Sequence, residues 1–343
     1  MLEKRGKVLY GVQGTGNGHI SRARVMAKEL YREGYDVDFI FSGREGSKYF
    51  DMEIFGDYRV YEGLTMVVEG GRVRIGSTIR GNNIIRFMCD VKGLDIDGYD
   101  ILISDYDPIV SWAGFLGGRE VIGIGHQYAF NYEIPKMGNN VILDFVMKWF
   151  APVSYGFGLH WDNFGDSRIM LPIIDIEEID EITSRVEVED DLVLVYLAFE
   201  DREEVLRVLG YFGDYRFCVY GYGEGESGYS NIKLCKSSRE GFMEDVIRSG
   251  GGVICGAGFE LVSELLYLGR RVMVKAVGGQ MEQLSNALGL ELLGYGRVLW
   301  DGLNREEIGR WLVSGRGVRV RYGNIGREIV RSIVENGGSG YGK

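Results

Sequence analysis

Short apolar runs alternate with helix-patterned segments twice over, and this constrains the fold of the chain more than any other feature. The runs "KVLYGV" (7–12), "VDFIFS" (37–42), "DILIS" (100–104) and "EVIGIG" (120–125) have the length and content of strands buried on both faces. Between the first two lies "HISRARVMAKELYREGY", with Ile20, Ala23, Ala27, Leu30 and Tyr31 at helical spacing and Gly34 placed to end the helix. Such βαβ units, repeated, close into a parallel sheet covered by helices. After residue 191 the pattern restarts. "LVLVYLAF" (192–199), "RFCVYGYG" (216–223), "NIKLC" (231–235), "GGVICG" (251–256) and "RRVMVKA" (270–276) read as strands, with helical runs at 201–210, 239–249, 259–269, 280–293, 305–314 and 323–336. Residues 175–191, "DIEEIDEITSRVEVEDD", hold nine acids and one arginine, and read as a solvated connection rather than a metal-binding cluster. The expectation is an α/β protein of two Rossmann-like domains, 1–174 and 192–336, facing a central cleft, with a flexible tail at 337–343.

A length of 343 residues suits two domains of ordinary size. The net charge of −11, with no long run of Lys or Arg, makes nucleic acid an unexpected partner. Cys89, Cys218, Cys235 and Cys255 lie far apart without a CxxC pair, which argues against a zinc site and a disulfide framework. His19, His126 and His160 lack helical His-x-x-x-His spacing, so no metal centre is expected. Neither a signal peptide nor a membrane span is legible, and a reduced, cytoplasmic protein is the expectation.

The first strand runs into "GVQGTGNGHISRA" (11–23). The order Gly14-Thr15-Gly16-Asn17-Gly18-His19 does not match a dinucleotide fingerprint, and the second strand ends in Ser42-Gly43 without a ribose-binding acid. A Walker A loop would need Lys-Ser/Thr after the last glycine. What remains is a tight loop in which Gly14, Gly16 and Gly18 bring backbone N–H groups close to a ligand and set His19 at a helix start. The positive end of the helix dipole disfavours imidazolium there, and a neutral imidazole at a cleft suits a general base. The plain alternative is a histidine that only caps the helix.

The second informative stretch is Ile254 to Leu290. A strand ends at Cys255, and Gly256-Ala257-Gly258 opens a helix, an anion-binding geometry of free N–H groups and aligned dipole. Glu260 and Glu264, at i and i+4, share one side of that helix. An acid two turns in is placed to accept hydrogen bonds from a ribose diol, although a solvated helix face would look the same. The next strand ends in "AVGGQMEQ", where Gln280, Glu282 and Gln283 can read sugar hydroxyls.

Together, "GTGNGH" and "CGAGFELVSELLYLG…GGQMEQLSNA" resemble the two-domain GT-B glycosyltransferases, in particular the MurG-like (family 28) branch and its archaeal and bacterial relatives. The resemblance implies a hexosyl- or N-acetylhexosaminyltransferase whose C-terminal domain binds a nucleotide-sugar, usually UDP-linked. The N-terminal domain would bind the acceptor, a glycan or lipid-linked hydroxyl. It implies that Gly256, Ala257 and Gly258 meet the diphosphate, that Glu264 holds the ribose and that Glu282 and Gln283 contact the donor sugar. His19 would face the reaction centre, and transfer would proceed with inversion and without cofactor or metal. Asp105, in "SDYDP", is placed to orient His19. His126 and Asp107 also fall just past strand ends, where ligands bind in open sheets. The family's second glycine loop has no counterpart: the strand end reads "YLAFEDRE" (196–203), whose acids would repel a diphosphate.

Residues 72–94 carry Arg72, Arg74, Arg80, Arg86 and Lys92 against Asp90, and 145–161 is rich in aromatics. These suggest an anionic acceptor, with Arg80 and Arg86 on its side, and peripheral contact with a membrane. A solvated helix and a core strand are the plain alternatives. Two rival functions stay open: a sugar-nucleotide 2-epimerase on the same architecture, and a nucleotide-sugar-binding protein without catalysis.

Overall fold

The computed structural model describes residues 5–65, 68–69, 72–73, 81–138, 141–236 and 238–336. The first half runs β1 (Gly6–Gln13), α1 (Asn17–Arg32), β2 (Tyr35–Ser42), β3 (Tyr58–Tyr61), a short antiparallel ribbon of β4 (Val68–Glu69) and β5 (Arg72–Val73), and α2 (Ile84–Gly93). It continues with β6 (Ile101–Asp105), α3 (Pro108–Leu116), β7 (Ile122–Gly125), α4 (Val141–Phe150), β8 (Tyr155–Leu159) and β9 (Ile169–Met170). Seven of these strands form a parallel sheet in the order β3-β2-β1-β6-β7-β8-β9. The second half comprises α5 (Ile176–Thr183), β10 (Leu192–Tyr196), α6 (Arg202–Leu209), β11 (Arg216–Tyr220), β12 (Ile232–Leu234), α7 (Arg239–Arg248), β13 (Gly252–Gly256) and α8 (Phe259–Leu268). β14 (Val272–Lys275), α9 (Met281–Leu292), β15 (Arg297–Val298), α10 (Arg305–Ser314) and α11 (Ile325–Glu335) complete it. Its sheet is also parallel, in the order β12-β11-β10-β13-β14-β15.

The unbroken apolar runs follow from burial on both faces. Val8, Tyr10 and Val12 pack with Ala23, Met26 and Leu30 of α1, while Leu9 packs on the opposite face with Ile109, Val110 and Ala113 of α3. In both sheets the strand order reverses beside the first strand, between β1 and β6 and between β10 and β13. Side chains and loops at the carboxyl ends of those strands face a crevice, the usual ligand position in an open α/β sheet.

Three features depart from the sequence expectations. The acidic stretch is not merely a solvated connection: α5 is capped by Asp175 and buries Ile179 and Ile182. Its acids fasten neighbouring helices, with Asp175 on Lys28 (2.6 Å), Glu177 on Arg32 (2.6 Å) and Glu178 on Arg239 (2.6 Å). The last helix, α11, returns to the first half and packs on α1. Gly326 faces Val25 and Met26, and Arg327 pairs with Glu29 (3.1 Å). Finally, Cys218 and Cys235 form a disulfide, which corrects the expectation of a fully reduced chain. Their separation is one strand and loop, and parallel pairing of β11 with β12 brings the two sulfurs together above Asp245. No helix among the described residues is long and apolar enough to cross a membrane.

Candidate active site

The glycine loop turns β1 into α1 at the crevice. The Gly14 N–H donates to the Ser42 carbonyl (2.7 Å), and a Cβ at Gly14 would collide with the Tyr49 phenol. A Cβ at Gly18 would lie 2.7 Å from Cγ of Glu260, so this glycine lets α1 rest directly against α8 of the other half. One residue on, His19 Nδ1 lies 2.6 Å from Oδ1 of Asp105, the last residue of β6.

Asp105 is fully buried and held by two side chains through three contacts. Arg22, one turn after His19, donates from Nε to Oδ2 (2.7 Å) and from Nη2 to Oδ1 (2.5 Å). Burial pushes the Asp105 carboxyl up, but Arg22 and His19 outweigh it and hold the acid below its ordinary range. The remaining nitrogen of Arg22, Nη1, pairs with Glu260. Arg22 therefore ties the His19–Asp105 pair to α8 of the other half. Arg22 Nη2 also lies 2.9 Å from Nδ1 of His19, and in the tautomer that donates from Nδ1 to an ionised Asp105, Nε2 carries no proton. That nitrogen faces Gln127, whose Nε2 lies 3.5 Å away and donates to both oxygens of Glu282 (3.2 Å each). Gln127 Oε1 is buried without a partner.

On the other wall, Gly256 ends β13, Ala257 is buried and Gly258 begins α8. No side chain caps α8, nor α1, α7 or α9. The helices α2, α3, α5, α6, α10 and α11 each carry an Asn or Asp cap: Asn83, Asp107, Asp175, Asp201, Asn304 and Asn324. The uncapped starts contribute residues to the seam between the halves: Gly18, Arg239, Phe259 and Glu282 all make contacts across it. Orphan N–H groups at such starts suit an anion. Glu264, in the second turn of α8, is buried; desolvation pushes its carboxyl up to about 7, with Arg239 opposing. Glu260 and Glu264 thus face two different cations rather than one solvated surface. Gln283 turns back on its own loop and accepts from the Val277 N–H (3.0 Å). At the strand end lacking a glycine loop, Glu200 is paired with Lys275 (2.7 Å) and Asp201 caps α6. Glu200 and Asp201 are thus consumed locally.

The other sequence candidates fall in mixed places. His126 is buried at the seam between halves, 2.7 Å from the Leu159 carbonyl and 2.5 Å from Oδ1 of Asn286, and stacked on Phe259. Burial lowers its pKa. Asp107 caps α3 through the Val110 N–H (2.8 Å), accepts from the Ser42 hydroxyl and is wholly buried. Arg80 lies outside the described residues, as does Arg74. Arg86 is exposed and pairs with Asp90 (3.0 Å). Of the aromatics, Trp161 is a core residue that donates to Ser263 (2.9 Å), whereas Phe145 is exposed beside Trp149. A cavity of about 370 Å³ opens next to Gln127, walled by Phe115, Tyr128, Phe130 and Trp149, with Lys136 and Lys148 at its edge.

Burial raises the Asp107 pKa from an ordinary 3.8 to about 6. An acid raised on folding stabilises fully below its unfolded pKa and loses that contribution as pH rises through the folded value. Between pH 4 and 7 the wild type is expected to lose about 2 kcal/mol more than Asp107→Asn in denaturant unfolding. Parallel profiles for the two proteins would refute it.

Sequence reasoning missed Arg22, Gln127 and Arg239. Arg22 left a signal, one helical turn from His19 on the same face. Gln127 and Arg239 acquire their roles only by contact across the halves, where Arg239 donates to Ser21 Oγ (3.0 Å) and binds Glu178.

The sequence pattern described as Glycosyl transferase family 1 matches residues 6–120 and 168–314, most of the chain and both walls of the crevice. The chain belongs to this family. No curated protein matches the sequence. Among solved structures, it is similar to the glycotransferase of kitacinnamycin, with 12% identity, a TM-score of 0.61, and 98% of this chain and 97% of that one covered. It is similar to LpCGTa in complex with UDP, with 15% identity, TM-score 0.58 and coverage of 98% and 96%. It is also similar to Arabidopsis thaliana UGT89C1 complexed with quercetin, with 11% identity, TM-score 0.61 and coverage of 97% and 94%. The two facing parallel sheets are those of a GT-B glycosyltransferase.

Proposed function

We propose that this family 1 glycosyltransferase moves a sugar from a UDP-linked donor to an acceptor hydroxyl, with His19 as the base and inversion at the anomeric carbon. The observation that carries the reading is His19 at the crevice, its Nδ1 on buried Asp105 and its Nε2 beside Gln127, which donates to Glu282 of the other half. Nε2 takes the proton of the acceptor hydroxyl as its oxygen bonds to the anomeric carbon. The bond from that carbon to the diphosphate oxygen breaks on the opposite face. The departing charge is met by the uncapped N–H groups at Gly256–Gly258 rather than by a metal. Glu264 accepts from the ribose diol, and Glu282 holds sugar hydroxyls. The cavity beside Gln127 supports an acceptor with an apolar portion, lipid-linked or aromatic. The segments "GNGH" and "LVSE" support a finer placement near the MurG-like branch.

The test is calorimetric titration with UDP, GDP and dTDP, repeated on Glu264→Gln. One nucleotide is expected to bind, about tenfold or more weaker in the variant. With a carboxyl raised from 4.5 to about 7, the acceptor form of Glu264 fills only as pH rises through 7. Wild-type affinity should therefore increase from pH 6 to 8 more than that of the variant, a difference that cancels the phosphate's own titration. Absence of nucleotide binding would overturn the donor site. Turnover without net release of nucleoside diphosphate would favour epimerisation over transfer.

A further inference from the structure

We propose that Arg44, at the end of β2, receives the donor diphosphate from the N-terminal half; this rests on the reading of the crevice as a nucleotide-sugar site. The sequence singled out neither Arg44 nor its neighbour Tyr49. The Arg44 guanidinium lies over the Tyr49 ring (4.7 Å to its centre), and Nη1 donates to Asn17 Oδ1 (3.0 Å) at the start of α1. Nε and Nη2, which form one edge of the guanidinium with parallel N–H bonds, are both buried and make no hydrogen bond. The Tyr49 hydroxyl beside Gly14 is likewise buried, with the Arg44 side chain as a polar neighbour. Among the described residues, Arg44 forms no ion pair, although the chain carries 50 acids against 39 bases.

An unpaired cationic edge removed from water is unfavourable unless an anion completes it. The side-on edge of a guanidinium matches two oxygens of a phosphate. The neighbouring cations are already committed: Arg22 to Asp105 and Glu260, Arg239 to Glu178, and Lys275 to Glu200. Arg44 also lies within electrostatic reach of Tyr196, the last residue of β10, where the glycine loop is missing. At that strand end Asp201 occupies the start of α6 and Glu200 occupies Lys275. The end of β10 therefore offers the diphosphate no free helix start, and Arg44 supplies a cation from the opposite wall.

The experiment compares wild type, Arg44→Ala and Arg44→Lys by calorimetry with UDP, uridine and inorganic pyrophosphate, with unfolding midpoints as the check on folding. Wild type is expected to bind UDP at least tenfold more tightly than uridine. Arg44→Ala should erase that difference by weakening UDP while leaving uridine unchanged, and Arg44→Lys should restore part of it without the forked contact. UDP affinity in Arg44→Ala equal to wild type would overturn the proposal and leave the donor site standing. Wild type that binds pyrophosphate through Arg44 but no UDP would keep an anion site here and remove the nucleotide reading. Binding of neither would overturn both. Should Arg44→Ala unfold, Arg44→Lys carries the test, and unaltered UDP and pyrophosphate affinity in it would count against the forked contact.

Discussion

His19→Ala is expected to lower kcat by about 10²–10⁴-fold at saturating donor while leaving the donor dissociation constant near its wild-type value. The imidazole touches no group assigned to nucleotide binding; its partners are Asp105, Arg22 and Gln127. Its loss should fall on the chemical step. Asp105→Asn offers a second view, because an amide can turn its N–H toward Nδ1 and reverse the tautomer, lowering kcat without emptying the site. Transfer rates from a donor identified by titration, measured for wild type and both variants, decide the matter. A His19→Ala enzyme with wild-type kcat would eliminate His19 as the base. A protein that binds nucleotide-sugars without turnover in any form would be the sensor that the sequence left open.

Arg22→Met is expected to destabilise the fold by about 3–5 kcal/mol, the cost of leaving buried carboxylates without their counter-charge. Asp105 has no exposed surface and Glu260 very little, so neither can exchange Arg22 for water. Asp105 is held below 3.8, so its contribution is present above that pH and lost on acidification through the lowered value. In the variant that acid loses its main stabilising partner. Arg22→Met combined with Glu260→Met should recover part of the loss, since the second change removes one of the stranded charges, and the two effects should be non-additive. Denaturant midpoints of the singles and the double measure this. A single variant within about 0.5 kcal/mol of wild type, a change typical of unremarkable surface sites, would mean that Arg22 holds neither acid.

Much of the architecture was legible because burial on both faces writes itself as unbroken apolar runs. β1, β2, β6, β7 and β10 to β14 lie where those runs are, within a few residues, whereas β15 had no such run. β10 is shorter than its run, ending at Tyr196, because Leu197 to Glu200 turn to place Asp201 as a cap. The acidic stretch misled because charge was weighed and spacing was not: Ile176, Ile179 and Ile182 form an apolar stripe at intervals of three. Cys218 and Cys235 were beyond reach, since only the pairing of β11 and β12 makes them neighbours. In the site, His19 and Asp105 could be read because strand ends mark the crevice. The pairings of Arg22 with Glu260 and Gln127 with Glu282 could not, because each joins residues from different halves.

The return of α11 to α1 means that the polypeptide passes between the halves twice, once into α5 and once out of α10. A body tethered at one point can swing about any axis; tethered at two, it is restricted mainly to turning about the line that joins them. Any separation of the walls would thereby be guided along one arc, as on a door with two pins. Retracing that arc returns Nε2 of His19 to the same place opposite Glu282. The placement of His19 is thus set by the threading of the chain as much as by the residues around it.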